Sequence, residues 1–286
     1  MGWTLPPLPD LQLLSDLCRE AAAEMRVQPQ LVEKDLHLTR LLGVLGERLG
    51  DGLLLKGGTL LSKVDLGFFR MSEDADLVIP GTAGRAGGAN AKRIEPLRVA
   101  LQESQKLLGY TLPFPGGERY EKNSHVLWML EYPSAFGRQN IKVEVTIRPL
   151  LEPPRAVHLG QLVNDLILGD YSGASCFALH QDEARAEKVR AAFTRVAIRD
   201  FYDLERLADA GADLDSPRFL QLVDAKLLEL NAPRFADQTR SFGMTARRRA
   251  QLEESLRKEL PAVLRQDAPS FDLDSMLERF NRMWRK

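Results

Sequence analysis

Asp74 and Asp76 stand two residues apart at the head of an apolar run, Leu77-Val78-Ile79, and a glycine-rich turn, Lys56-Gly57-Gly58-Thr59, precedes them across a short amphipathic segment. Residues two apart on a strand share a face, so these carboxylates repel each other unless a cation lies between them. A hard divalent ion, Mg²⁺ or Mn²⁺, shared with a phosphate removes that repulsion. Glu144, on the polar side of a later alternating segment, is the candidate third carboxylate of a two-metal clamp for in-line displacement at phosphorus. Gly57 and Gly58 let the backbone approach phosphates without a side-chain clash. The helix expected after them offers N–H donors and a partial positive charge. Thr59 and Ser62 can add hydroxyl donors, Lys63 and Arg70 can neutralise phosphate charge, and Ser72 and Glu73 shape the turn that aims Asp74. A lone Asp-x-Asp or Gly-Gly is common. The ordered set of strand, Gly-Gly-Thr, helix, Asp-x-Asp, strand and later acidic strand is rare, and it describes nucleotidyl transfer from an NTP.

The elements that must position these groups follow from periodicity. Leu11, Leu14, Cys18, Ala22 and Met25 give a helix from Leu11 to Arg26, and a second runs from Pro29 to about Leu49 on a stripe of Leu31, Leu38, Leu41, Leu42 and Leu45. Gly50-Asp51-Gly52 breaks it. A short strand, Leu53–Lys56, leads to the Gly57-Gly58 turn and a helix from Thr59 to Leu66 with Thr59 as its N-cap. Strands are expected over Ala75–Ile79, His125–Tyr132 and Asn140–Arg148, with a helix over Ala91–Leu108. In the last strand Ile141, Val143, Val145 and Ile147 alternate with Lys142, Glu144, Thr146 and Arg148. Pro149, Pro153 and Pro154 close the β-rich half. From Leu159 the pattern is helical, with helices near Glu183–Thr194, Arg199–Ala210, Pro217–Leu230, Thr245–Glu259 and Asp274–Trp284. The reading is an α+β fold: residues 1–154 form a small mixed β-sheet with helices, and residues 155–286 form a helical bundle that closes the active-site cleft.

Bulk composition narrows the classes. A net charge of −1 over 286 residues is not that of a globally basic nucleic-acid binder, so any RNA contact must rest on a local patch. Cys18 and Cys176 lack CxxC partners and read as reduced core thiols of a cytoplasmic protein. No segment approaches the roughly 20 apolar residues of a membrane span. The N-terminus lacks a basic region followed by an apolar one, and Pro80–Gly88 is the most flexible-looking loop. His37, His125, His158 and His180 show no metal-ligand spacing, and Gly57-Gly58 is not followed by the Gly-Lys-Ser/Thr of a Walker A loop.

Two charged groups have alternative readings. Lys188 could hold a nucleotide phosphate. Asp200 and Asp203, three apart on one helix face, could contact Lys188, contact the nucleotide or serve as a base for the acceptor hydroxyl; the plain alternative is a surface salt-bridge cluster. Arg247-Arg248-Arg249, with Arg240 and Arg257, could meet RNA phosphates or form a solvated helix face, its field reduced by Glu253, Glu254 and Glu259.

Val32-Glu33-Lys34-Asp35 through Leu42, Leu55-Lys56-Gly57-Gly58-Thr59 through Lys63, Arg70-Met71-Ser72-Glu73-Asp74-Ala75-Asp76-Leu77, Ala186-Glu187-Lys188-Val189-Arg190 and Arg199-Asp200-Phe201-Tyr202-Asp203 together resemble the AbiEii/AbiGii toxin family. These are nucleotidyltransferase-like proteins of the DNA polymerase β superfamily, MenT-type members included. The resemblance covers Leu31 to Leu207, and the segment from Thr59 to Asp74 is longer than the family's shortest form. It implies a toxin of a bacterial toxin–antitoxin system whose separate antitoxin is AbiEi-like. It also implies metal-dependent transfer of an NMP to RNA, with the tRNA 3′ end as acceptor. The resemblance places metal and NTP on Gly58, Thr59, Asp74 and Asp76, the family's lysine at Lys188 and its downstream aspartate at Asp200, with Asp203 the alternative. Joined to the reading of the residues, the catalytic set is Asp74, Asp76, Glu144, Lys188 and Asp200, and the nucleotide-binding set is Gly57, Gly58, Thr59, Ser62, Lys63, Arg70, Ser72 and Lys188. Two rival readings keep the fold: transfer to a protein hydroxyl or small molecule, and a non-catalytic partner-binding module.

Overall fold

The computed structural model describes residues 7–82, 87–112, 118–122, 124–160, 162, 174–235 and 242–284. Met1–Pro6, residues 83–86 of the Pro80–Gly88 loop and Arg240 lie outside them. The chain divides into two compact units, Met1–Leu179 and His180–Lys286.

The first unit is built on a sheet of β1 (Leu54–Leu55), β2 (Asp74–Pro80), β3 (Glu118–Lys122), β4 (His125–Tyr132), β5 (Gln139–Arg148), β6 (Arg155–His158) and β7 (Ser175–Ala178). Among the described residues the strand order is β3-β4-β5-β2-β1-β7-β6. β2 runs parallel to β5 and β1 parallel to β7, while the other neighbours are antiparallel. β5 alternates as its sequence demands: Ile141, Val143, Val145 and Ile147 are buried, and the intervening side chains are half-buried. The β-rich part does not end at Pro154. Leu54 and Leu55 pair with Phe177 and Ala178, and β6 pairs with β7, so the sheet recruits two strands from beyond the prolines. The division between the units accordingly follows Leu179, not Pro154.

Helix α1 (Leu11–Met25) starts where the Asp10 carboxylate accepts the Leu13 N–H and ends at Arg26, whose φ of 53° is left-handed. Helix α2 (Pro29–Leu49) takes proline in its first turn. It packs against α1, β7 and α4 (Gly87–Leu108). With neighbours on several sides, α2 is buried almost continuously from Val32 to Leu45 rather than along one stripe. Gly46 permits the approach to β7, since a Cβ there would lie 2.5 Å from the Ser175 carbonyl oxygen.

Burial on all sides obliges the polar residues of α2 to find partners. Glu33 accepts from the Ser134 hydroxyl at 2.5 Å and the Ala135 N–H at 2.7 Å. His37 Nδ1 meets the Tyr110 hydroxyl at 2.8 Å, and its ring stacks on Tyr132 at 4.1 Å. Burial, assisted by the Arg40 charge, pushes the His37 imidazole down to about 3. Cys18 and Cys176 are both free and buried, and burial pushes each thiol up to about 12.

The second unit contains α5 (Gln181–Thr194), α6 (Ile198–Asp209), α7 (Pro217–Leu228), α8 (Ala246–Lys258) and α9 (Leu273–Met283). Ser216, Thr245 and Asp272 accept the N–H groups of Phe219, Arg248 and Ser275 and set three of the helix starts. Phe242 anchors the core, stacked on Phe193 at 4.7 Å and tilted against Trp284 at 5.1 Å. No helix among the described residues is long and apolar enough to cross a membrane.

His37 makes stability depend on pH. Its folded-state pKa is depressed, so between about 3 and its unfolded value near 6.5 the unfolded chain binds the extra proton and stability falls with falling pH. We expect His37 to contribute about 2 kcal/mol of lost stability between pH 7 and pH 5. Urea unfolding at the two pH values should show a smaller difference in His37→Phe than in the wild type; an equal difference would remove His37 as the cause.

Candidate active site

The parallel register of β2 and β5 places Asp74 opposite Lys142 and Asp76 opposite Glu144. Ala75, Leu77 and Val78 are buried while Asp74 and Asp76 are half-buried, so core packing turns the two aspartates to one face. Lys142 Nζ lies 3.0 Å from Asp74 Oδ2 and 3.3 Å from Glu144 Oε2. His125 Nε2 lies 3.2 Å from Glu144 Oε1. Burial pushes the Asp74 carboxyl up, against the pull of Lys142, with Asp76 and Glu73 adding repulsion. Glu144 is held below the usual carboxylate range: Lys142 and His125 outweigh its own burial.

The glycine turn abuts Asp76. Gly57 has φ of 73°, and a Cβ on it would lie 2.4 Å from Asp76 Oδ2, so both backbone and space require glycine. The Lys56 N–H donates to the Asp76 carbonyl at 2.9 Å. The helix after β1 starts at Gly57, not Thr59. It spans Gly57–Leu60 (α3) and continues as a π turn over Leu61–Asp65, which accommodates part of the long segment between Thr59 and Asp74. Thr59 is therefore no N-cap. Its hydroxyl donates to the Asp74 carbonyl at 2.6 Å and, with its proton so used, accepts from Ser72 Oγ at 2.8 Å.

Several side chains expected on phosphate are turned inward. The Ser62 hydroxyl donates to the Arg70 carbonyl. Lys63 is buried, with Nζ 2.5 Å from Asp35 Oδ1 and 2.7 Å from Thr39 Oγ1. Arg70 is buried, donates to the Met71 carbonyl at 2.9 Å and lies against Gly58, where a Cβ would come 2.4 Å from its guanidinium. Ser62, Lys63 and Arg70 thus brace the turn from behind, and Thr59 and Ser72 tie it to the start of β2.

In the second unit, Lys188 on α5 lies 3.0 Å from Asp200 Oδ1 and 2.7 Å from Asp203 Oδ2 on α6. All three are buried, so the cluster is not a surface one. Arg195 adds a two-pronged grip on Asp200 at 2.5 and 2.8 Å. Although burial opposes it, Lys188 and Arg195 hold the Asp200 carboxyl far below the usual range. Of the basic run, Arg248 donates to the carbonyls of Ala192, Phe193, Arg195 and Phe242, and Arg249 pairs with Glu253 and Asp274. These two arginines secure helices rather than present a basic face.

Among the described residues no group of three or more His, Cys, Asp or Glu side chains is placed to enclose a metal ion. The donor chemistry nevertheless fits Mg²⁺ or Mn²⁺. Mg²⁺ is commonly held by one or two carboxylates together with substrate phosphates and water, and Asp74 and Asp76 supply two hard oxygen donors from one strand. Sequence reading did not single out Lys142, His125, Asp35 or Arg195. Lys142 carried a signal, since its alternation with Glu144 puts both on one face; His125 and Asp35 meet their partners by tertiary contact, and Arg195 meets Asp200 five residues on.

Residues 41–283 match the family model described as nucleotidyl transferase AbiEii toxin of type IV toxin–antitoxin systems. The match reaches through the helices beyond Leu207. Among solved structures the chain is similar to MenT4, a nucleotidyltransferase toxin from Mycobacterium tuberculosis, at 17% identity and a TM-score of 0.63 over 99% of this chain and 89% of that one. It is also similar to a nucleotidyltransferase-like structure from H. pylori, at 15% identity and a TM-score of 0.52 over 90% and 94%. These likenesses show the fold. No curated protein matches the chain in sequence.

Removing the Lys63 charge should expose its interior role. Lys63→Met strands the Asp35 carboxylate in the core and should cost about 3–5 kcal/mol in urea unfolding. Lys63→Met combined with Asp35→Leu should recover much of that loss. A fully stable Lys63→Met that has lost NTP binding would instead place Lys63 on the nucleotide.

Proposed function

Since the chain belongs to the AbiEii family of nucleotidyltransferase toxins, we propose that it moves an NMP from an NTP onto RNA, with the tRNA 3′ end as acceptor, and so blocks translation and growth. The observation that carries this reading is the registered pair of strands on which Asp74, Asp76 and Glu144 share a face beside the Gly57 turn. Asp74 and Asp76 would hold Mg²⁺ or Mn²⁺, with Glu144 assisting. A bound ion of this kind stabilises the charge that develops on the phosphate oxygens.

This chain's own residues do the rest. Gly57 and Gly58 form the turn that would cradle the triphosphate; their missing Cβ atoms make room for Asp76 and the Arg70 guanidinium, which hold the turn in place. Thr59 and Ser72 fix the start of β2 through the Asp74 carbonyl, so Asp74 is aimed before substrate arrives. Lys188 is assigned to a nucleotide phosphate on its motif match. Asp200 is ionised far below neutrality, which makes it a poor general base and a good positioning group for the Lys188 ammonium. Asp203 grips the same ammonium, so both aspartates serve one lysine. In this reading the partners are NTP, RNA and an AbiEi-like antitoxin, and the setting is the cytoplasm.

The direct test is incubation with Mg²⁺, each labelled NTP in turn and total tRNA, beside Asp76→Ala. Label on tRNA should fall by at least roughly 10²–10³-fold in the variant, the scale of losing one preorganised electrostatic element. A folded Asp76→Ala with wild-type transfer would sink the assignment. Label on protein or small molecule, and none on RNA, would select a different acceptor.

A further inference from the structure

The ammonium of Lys142 occupies the place between two of the acidic groups where a positive charge is needed. Its Nζ lies 3.0 Å from Asp74 and 3.3 Å from Glu144. Register fixes it there, because Lys142 is the β5 residue directly opposite Asp74 and sits two before Glu144 on the same face. The other oxygen of Glu144, Oε1, lies 3.2 Å from His125 Nε2. Lys142 therefore neutralises two carboxylates that would otherwise repel each other across the strands.

A divalent cation on Asp74 cannot share this position. Two cations a few ångströms apart in a half-buried site repel strongly, and Lys142 already faces Asp74 through Oδ2. Metal entry must displace the ammonium. The lysine has a flexible four-carbon stem and rotatable donors, so it can move without the strand moving. The negatively charged group that arrives with the metal is the triphosphate.

We propose that Lys142 is an internal counter-cation that holds Asp74 and Glu144 until metal and NTP arrive together, then swings its ammonium onto the triphosphate, so that metal alone binds poorly and metal–NTP binds well. The inference rests on the nucleotidyltransferase reading above. It makes Lys142 both a competitor of free metal and a ligand of the metal–nucleotide complex.

These two roles have opposite signs in one variant. Mn²⁺ binding without nucleotide, followed by electron paramagnetic resonance, should be at least about fivefold tighter in Lys142→Met than in the wild type. Binding of the Mn²⁺ complexes of α,β-methylene NTP analogues at excess Mn²⁺, followed by calorimetry, should be at least about fivefold weaker. Lys142→Gln should repeat both shifts, which guards against a folding defect confined to one substitution. General damage would weaken both measurements. Shifts in the same direction, or no shift in either, overturn the proposal while Mn²⁺ binding lost in Asp76→Ala leaves the parent reading standing. A wild type that binds Mn²⁺ in neither state, indistinguishable from Asp76→Ala, overturns both.

Discussion

The site depends on one backbone constraint, the parallel pairing of β2 with β5. Seven consecutive residues of β2, Asp74 to Pro80, lie opposite Lys142 to Arg148. A one-residue slip would send every side chain of a strand to the other face. Here the slip is forbidden from behind, since it would drive Ala75 and Leu77, or Val143 and Val145, out of a fully buried layer. Apolar burial on one face is thus what sets Asp74 beside Lys142 and Asp76 beside Glu144 on the other. On the charged face Lys142 draws the strands together through Asp74, and a partly exposed ion pair contributes little beside that apolar burial.

The same division of labour holds at the turn. Gly57 is forced to be glycine by its backbone and by the Asp76 carboxylate above it. Its position is held by groups that never reach the surface. Lys63 ties the π turn to Asp35 and Thr39 on α2, and the Gly160 N–H closes on the Lys63 carbonyl at 2.9 Å. Helix α2 therefore bears on the site from behind through Asp35 and Thr39, and Lys34 pairs with Glu73 beside Asp74 at 3.1 Å. A buried ion pair is a weak source of net stability, but it fixes geometry, because the paired charges have nowhere else to go.

This explains which parts were legible in sequence. Alternation in β5 and the Asp-x-Asp pair were readable because their period is local and their burial one-sided. β6 and β7 were not, being four residues each, too short for alternation to distinguish them from loop. Thr59 has the side chain of an N-cap, yet its hydroxyl found a better partner in the Asp74 carbonyl, a competition no local pattern records. Lys63 beside a glycine turn looks like a phosphate ligand until Asp35, from a helix far earlier in the chain, is packed against it. In both cases a partner distant in sequence, the Asp74 carbonyl or the Asp35 carboxylate, takes the polar group.

The arginine run shows the same redirection at the scale of the second unit. Three adjacent arginines on a helix suggest a basic face. Arg248 instead spends its donors on the carbonyls of Ala192, Phe193 and Arg195 at the end of α5, and on Phe242. The last carbonyls of a helix are unsatisfied and carry partial negative charge, so a guanidinium there is a C-terminal cap. The capped helix is the one that carries Lys188, and Arg195, whose carbonyl is held, grips Asp200 with its side chain. Arg248 therefore acts on Lys188 and Asp200 without touching either. One arginine of a run that reads as surface charge thus supports the end of the helix that carries Lys188.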